Sequence, residues 1–202
     1  MENGNKGTRR EQAELTRQNL VESALRLVAK KGYDRVTVDD ICQEAGVTKG
    51  AFYGHFKNKH QVIIERYLRA DDHYKEVFPE IMKEETYIAK AMAFSRAALT
   101  YIADQGVMLI KVAYSSEIRP SLKVSPIGSD KRPLFHFAHY LIQEAQKAGE
   151  VRTDIDAADI ARLLIRSIRG IVYDWCLQDG SFDLVAAGEV HAEVMAEGLR
   201  PR

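Results

Sequence analysis

Hydrophobic residues recur three or four positions apart along almost the whole chain, which is the spacing of one helix face. The first clear apolar stripe consists of Leu20, Ala24, Leu27 and Val28. Lys30, Lys31 and Gly32 follow it, and basic residues with a glycine just beyond are typical of a helix C-terminus. The pattern predicts a first helix over about residues 8–31.

The same periodicity predicts longer helices through the rest of the chain, joined by short connections that contain Gly, Pro or Asp. Their approximate ranges are 58–78, 84–104, 106–116, 132–148, 156–178 and 184–198. One long irregular segment, Ser116 to Pro133, interrupts this series. No segment shows the alternation of a strand, so we predict an all-α fold.

Two very short helices are predicted between the first helix and Lys59. In `VTVDDI`, Thr37 can cap the free backbone amides and Asp40 stands three residues later, as in a capping box. In `VTKGAF`, Thr48 can cap the second helix in the same way. Gly46 supplies a permissive backbone at the break between them. This arrangement predicts a helix-turn-helix.

The second short helix, in `GVTKGAFYGHF`, contains two glycines and few strong helix formers. A recognition helix in the major groove must bring its N-terminal backbone close to DNA, and Gly50 and Ala51 leave room for that approach. Lys49 can reach a guanine edge or a phosphate. Donors suited to phosphate oxygens follow at Tyr53, His55 and Lys59.

The segment `TVDDICQEAGVTKGAFYGHFKNKHQVI`, Thr37 to Ile64, resembles the signature of the TetR family of transcriptional regulators. Cys42 and His60 depart from it, where alanine and an acidic residue are commoner. The resemblance implies an N-terminal three-helix domain with a helix-turn-helix and a larger C-terminal helical domain for regulation and dimerisation. It places DNA contacts at Thr37, Thr48, Lys49, Gly50, Ala51, Tyr53, His55 and Lys59.

We therefore expect a DNA-binding domain over residues 1–57 and a ligand-binding and dimerisation domain over residues 58–202. The predicted helix 58–78 starts directly after the recognition helix. As one continuous rod of roughly 30 Å it would join the operator site to the ligand site.

The predicted helix 156–178 is apolar on two neighbouring stripes, more than a helix on the surface of a monomer carries. It is either central within one chain or buries one face against a partner. The resemblance implies a four-helix interface across a two-fold axis, built with the helix that follows. The candidate interface residues are Ile165, Ile168, Val172, Trp175, Val190 and Val194.

Aromatic and methionine residues are frequent between residues 58 and 148, where most would simply pack the core. A cavity among them would be largely apolar with a few polar groups, and ligand binding there follows mainly from the resemblance. The candidate ligand-binding residues are Phe78, Met82, Phe94, Tyr101, Tyr114, His136, His139 and Tyr140. His136 and His139 have a spacing that can chelate a metal, but without a third ligand we expect no metal site.

Charge is distributed unevenly although the net charge of the 202 residues is zero. Residues 1–69 contain 13 Lys and Arg against 9 Asp and Glu, whereas the remainder contains 16 against 20. Because the field of a charge decays within about a Debye length, roughly 8–10 Å, the local excess is what matters for phosphate binding. The basic third is the one with the helix-turn-helix.

Several other classes of protein are disfavoured. The chain has no apolar run of eighteen residues and no apolar segment at its start, so we expect no membrane partner and a cytoplasmic location. Cys42 and Cys176 lie far apart on apolar helix faces, where a buried thiol is the ordinary interpretation. No catalytic constellation, phosphate loop or Cys/His cluster is present, so we expect neither an enzyme nor a cofactor.

The sequence predicts a ligand-responsive repressor that binds a near-palindromic DNA operator as a homodimer and is released by a small, largely apolar effector. The alternative is a helical small-molecule-binding protein or an enzyme without a DNA role. It would leave the `TKGAFYGHFKNK` segment unexplained.

Overall fold

A computed structural model describes residues 4–117 and 127–201, and within these ranges every regular element is helical. The ten helices are α1 Gly4–Lys31, α2 Val38–Ala45, α3 Lys49–His55, α4 Lys59–Leu68, α5 Ala70–Ile81, α6 Tyr87–Gln105, α7 Val107–Glu117, α8 Pro133–Lys147, α9 Ala157–Leu177 and α10 Leu184–Gly198. A single 3-10 turn, Tyr33–Arg35, lies between α1 and α2. The all-α prediction is confirmed, and none of the described helices is long and apolar enough to cross a membrane.

The predicted continuous helix over residues 58–78 is wrong. The segment forms two helices, α4 and α5, which are separated at Arg69. Neither a glycine nor a proline marks the break, so the sequence carries no local signal for it. The expected route of coupling assumed one uninterrupted helix from Lys59 to Phe78, and the helix is interrupted at Arg69.

The chain forms two compact units that meet in sequence between Leu68 and Arg69. The first unit contains α1 to α4, whereas the predicted boundary after residue 57 would have excluded α4. α4 packs against α1 and buries Val62 and Ile63 almost completely. The core of this unit is completed by Leu20, Val21, Val36, Ile41, Phe52 and Phe56, each at most 1% exposed.

The second unit is a bundle in which α8 packs against α5, α6 and α9, while α10 packs against α6 and α9. α6 and α10 approach closely at Gly188, where an added Cβ would lie 2.0 Å from Leu99 Cδ1. A buried ion pair joins α5 to the start of α8, with Arg132 Nη2 2.9 Å from Asp71 Oδ1. Removing one partner of such a buried ion pair strongly destabilises the fold, because the charge of the other partner stays buried without a counter-charge.

α9 directs both of its predicted apolar stripes into its own unit. Ile165, Val172 and Trp175 are at most 7% exposed, so their assignment to a dimer interface is wrong. α9 packs against three helices of the unit, α7, α8 and α10. Ile168 is half-buried, whereas Val190 and Val194 on α10 are 62% and 67% exposed.

Both cysteines are buried free thiols, as expected. Burial raises the pKa of Cys42, and it raises the pKa of Cys176 to about 11. The Cys176 thiol is therefore protonated at neutral pH and unreactive.

Candidate nucleic-acid interface

α2 begins with the predicted capping box. Thr37 Oγ1 accepts a hydrogen bond from the Asp40 amide at 3.1 Å, and Asp40 Oδ2 accepts one from the Thr37 amide at 2.8 Å. The Thr37 hydroxyl also donates to Asp40 Oδ2, at 2.7 Å. Together with a bond from Lys31, these interactions lower the pKa of Asp40 to about 2. Thr37 is exposed, but its hydroxyl already takes part in two hydrogen bonds.

The turn between α2 and α3 depends on Gly46, which has φ 66° and ψ 34°. This left-handed conformation is strained for a residue with a Cβ. It lets the Gly46 and Val47 amides bond back to Gln43 and Cys42 carbonyls, at 3.3 and 3.0 Å. These hydrogen bonds complete the turn of the predicted helix-turn-helix.

α3 is buried on one side and open on the other. Thr48 Oγ1 accepts a hydrogen bond from the Ala51 amide at 3.1 Å and so caps the helix. Phe52 and Phe56 are at most 1% exposed, which anchors the inner side in the core of the first unit. The outer side presents Lys49, Gly50, Tyr53 and Gly54 to solvent, with Ala51 and His55 half-buried at its edges.

The protein itself gives no reason for glycine on the outer side of α3. A Cβ at Gly50 would meet only Thr48 Oγ1, at 3.7 Å, and one at Gly54 would meet nothing within 4 Å. Both residues cost helix stability, by about 1 kcal/mol each relative to alanine. Small residues at these two exposed positions leave room for another surface to approach this backbone closely.

Lys49 lies at the start of α3 and pairs with Asp39 of α2, with 2.7 Å between Lys49 Nζ and Asp39 Oδ1. Asp39 raises the pKa of Lys49. Both side chains are more than 60% exposed, and exposed pairs contribute little to stability. Lys49 can therefore exchange Asp39 for a phosphate or a base edge at low cost.

The end of α3 is held by Arg17, which the sequence analysis did not identify. Arg17 Nε and Nη2 donate to the two carboxylate oxygens of Glu65, at 2.7 and 2.6 Å. Its Nη1 donates to the His55 carbonyl at 3.4 Å, and the guanidinium lies 4.7 Å from the Phe56 ring centroid. Glu65 raises the pKa of Arg17. One side chain of α1 thus fixes both α4 and the end of the recognition helix.

Lys59 is half-buried and binds backbone carbonyls of the first unit. Its ammonium donates to the carbonyls of Tyr33 and Val36, at 2.9 and 2.8 Å, and lies 4.3 Å from the Tyr33 ring centroid. A phosphate contact, which we predicted from the sequence, would require Lys59 to leave these carbonyls. The structure gives it the task of joining α4 to the turn before α2.

α4 begins with a second capping arrangement that the sequence analysis missed. Asn58 Oδ1 accepts a hydrogen bond from the Gln61 amide at 2.9 Å, and Gln61 Oε1 accepts one from the Lys57 amide at 2.7 Å. The signal was present, because Asn followed three residues later by Gln is a recognised helix start. It fixes the chain direction immediately after the recognition helix.

The candidate ligand residues separate into two groups. Phe78, Met82, Phe94 and Tyr101 belong to one apolar cluster of the second unit, in which the Phe78 and Phe137 ring centroids are 4.2 Å apart. Tyr140 reaches this cluster through Phe78, with ring centroids 6.2 Å apart. Tyr114, His136 and His139 are not members of it.

The two histidines of α8 differ in their surroundings. His139 stacks on Phe135 with ring centroids 5.7 Å apart, whereas His136 is exposed. Within residues 4–117 and 127–201, no group of three or more His, Cys, Asp or Glu is placed to hold a metal ion. The assignment of all eight candidate residues to a ligand site stays a prediction.

Comparison with known proteins places the helix-turn-helix in a family. Residues 20–65 match the model of bacterial regulatory proteins, tetR family. The Transposon Tn10 TetC protein of Escherichia coli is 51% identical over 59 residues, which are 29% of this chain and 30% of that protein. This similarity is local.

Two further similarities extend over most of the chain. The fatty acid metabolism regulator protein of Bacillus subtilis (strain 168) is 21% identical over 182 residues, 89% of this chain and 93% of that protein. The crystal structure of the transcriptional regulator FadR from Bacillus subtilis in complex with stearoyl-CoA has a TM-score of 0.75 at 21% identity, covering 91% of this chain and 99% of that one. At this identity the structural likeness shows the fold.

Proposed function

We propose that this chain, in which residues 20–65 match the tetR family of bacterial regulatory proteins, represses transcription by binding a near-palindromic operator as a homodimer. A dimer bound at a promoter blocks polymerase by occupying the site. Its place is the cytoplasm, where the operator DNA lies. No catalytic step is needed for this activity.

The observation that carries the proposal is the outer side of α3. It presents Lys49 and Tyr53 beside two glycines that the protein's own packing does not require. A helix of this kind fits the major groove, which is about 12 Å wide, with its N-terminal residues at the base edges.

Dimerisation is supported by an apolar surface on α9 and α10, which we call the α9/α10 face. Its members are Leu163, Tyr173, Leu177, Val190 and Val194, each at least 47% exposed. At 100° per residue the three α9 members fall within one side of the helix, and α9 packs against α10. Exposed apolar residues on two packed helices indicate an interaction surface, and a second copy would bury both faces at once.

The effector is proposed to bind in the second unit, at the aromatic cluster around Phe78, Phe94 and Phe137. The stearoyl-CoA bound to the Bacillus subtilis relative has a long apolar chain, which suits a pocket lined by such side chains. Binding there is proposed to lower the affinity for the operator.

A band-shift assay with DNA from upstream of the protein's own coding sequence tests DNA binding. The test variant is Gly50→Leu, which adds bulk to the outer side of α3 where no protein atom is displaced. Thr153→Leu, which places the same side chain at an exposed position between α8 and α9, is the control. We expect the wild type and the control to shift the DNA and Gly50→Leu to fail while retaining its helical circular dichroism. Equal shifts by all three would refute the assignment of α3.

A further inference from the structure

A small cavity in the second unit is lined by an unusual number of arginines. It lies between the start of α8, the middle of α9 and the segment 128–130, and its volume is about 70 Å³. Four of its lining residues are Arg132, Arg162, Arg166 and Arg169, whereas Asp130 is the one carboxylate among the lining residues. We call this cavity the arginine pocket.

Two of the four guanidiniums are neutralised by carboxylates. Arg132 is 7% exposed in its side chain and pairs with Asp71, so it serves the structure of the unit. Arg162 pairs with Asp130 at 3.0 Å and with Asp159 at 2.8 Å. These pairs hold the wall of the pocket in place.

The other two guanidiniums lack such partners. Arg169 Nη2 donates to the Ile127 carbonyl at 2.6 Å, which leaves its positive charge unbalanced. Throughout the part of the chain that the structure describes, no carboxylate lies within 4 Å of a nitrogen of Arg166 or Arg169. They are one helical turn apart on α9, so their mutual repulsion is relieved when an anion bridges them.

The arginine pocket also has apolar lining residues. Leu134, Phe135 and Ile165 contribute to the lining, and the Phe135 ring centroid lies 5.3 Å from the Arg162 guanidinium carbon. Leu134 also packs against the aromatic cluster that contains Phe78 and Phe94. A small cavity lined by arginines, with apolar side chains beside them, fits the head-group end of a molecule that has an anionic head and an apolar body.

We propose that the arginine pocket binds the oxyanion of an amphiphilic effector, a carboxylate or a phosphate, between Arg166 and Arg169. Guanidinium groups present paired donors that match both oxyanions. The proposal rests on the proposed function in that it treats this molecule as the effector. It adds the chemistry of the head group to an effector that was otherwise described only as apolar.

Calorimetric titration of the full-length protein, without DNA, tests the pocket with three probes of equal chain length: decyl phosphate, decanoate and decanol. We expect the wild type to bind at least one of the two anions at least tenfold more tightly than decanol, since hydrogen bonds to charged groups are the stronger ones. The better of the two anions identifies the head group. Equal affinity for all three probes would overturn the proposal.

The test variants are Arg166→Gln and the double change with Arg169→Gln. Arg166 is exposed, so its single variant is expected to fold even if the double variant does not. Arg200→Gln removes the same charge from an exposed arginine beyond α10 and serves as the control. We expect roughly 10- to 100-fold weaker binding of the anion in the test variants and no change in the control.

Two further results separate this proposal from neighbouring ones. The proposal would be overturned if the Arg166 variants bound the anion as tightly as the wild type and lost the dimer in sedimentation. Arg166 would then serve the dimer interface. A band-shift assay on the same wild-type preparation without probe tests the regulator assignment independently. If the protein does not shift DNA in that assay but its anion binding still depends on the arginines, the proposed function is wrong and the anion site is supported.

Discussion

At the residue scale, Asp40 has a carboxylate whose charge supports the start of α2. Its pKa of about 2 lies below the ordinary value of 3.8, so folding favours the charged form. The stabilisation is therefore complete above about pH 4 and is lost as the pH falls through 2. We expect Asp40→Asn to lower the free energy of unfolding at pH 7, and the difference from the wild type to shrink toward pH 2. Denaturant titrations at several pH values measure this, and a constant difference would contradict the charge-based account.

Lys59 illustrates a different use of charge, because its ammonium joins α4 to the turn before α2. We expect Lys59→Ala to reduce the free energy of unfolding by about 1–3 kcal/mol, since two carbonyls lose a charged donor. The slope of operator affinity against salt concentration should stay the same. A slope smaller by about one counterion, with unchanged stability, would instead identify a phosphate contact. Denaturant unfolding and binding at several salt concentrations distinguish the two.

At the element scale, the helices were predictable where apolar periodicity, caps and glycines agree. α2 and α3 show this most clearly, since Thr37, Gly46 and Thr48 each carry a local signal that the structure uses. The break at Arg69 and the clamp from Arg17 were not predictable. The clamp depends on a contact between distant segments, Arg17 with Glu65, that no local pattern encodes, and no glycine or proline marks the break.

α9 shows the limit of periodicity most directly. Its pattern identifies apolar positions but not which neighbour covers them, so Val172 and Trp175 were assigned to a partner although they are buried in their own unit. The surface left open is the α9/α10 face, with Leu163 and Leu177 on α9.

We expect Leu163→Glu combined with Leu177→Glu to dissociate the dimer while the monomer stays folded, because both residues are exposed in a single chain. Charges placed there would be desolvated only in the dimer. Val172→Glu is the contrasting variant and should unfold the second unit. Sedimentation with circular dichroism separates the outcomes, and a folded, dimeric double variant would place the interface elsewhere.

At the scale of the whole molecule, binding of effector and operator must be reciprocal if the two are coupled. If the effector weakens binding of the operator by a certain factor, operator DNA must weaken binding of the effector by the same factor. In coupled systems this factor is typically about 5–150-fold. Titrating decyl phosphate or decanoate into the protein with and without operator DNA measures this. Equal affinities in the two titrations would mean that the bound molecule is not the regulator of DNA binding.

The central claim is that two copies of α3 recognise one operator, and footprinting on the DNA upstream of the protein's own coding sequence tests it most directly. We predict a protected site with two related half-sites whose centres lie about 10–10.5 base pairs apart, or a multiple of that distance. Protection should persist in the presence of excess unrelated DNA and disappear in Gly50→Leu. Protection without half-site symmetry, or none below the concentration at which unrelated DNA is also bound, would contradict the claim.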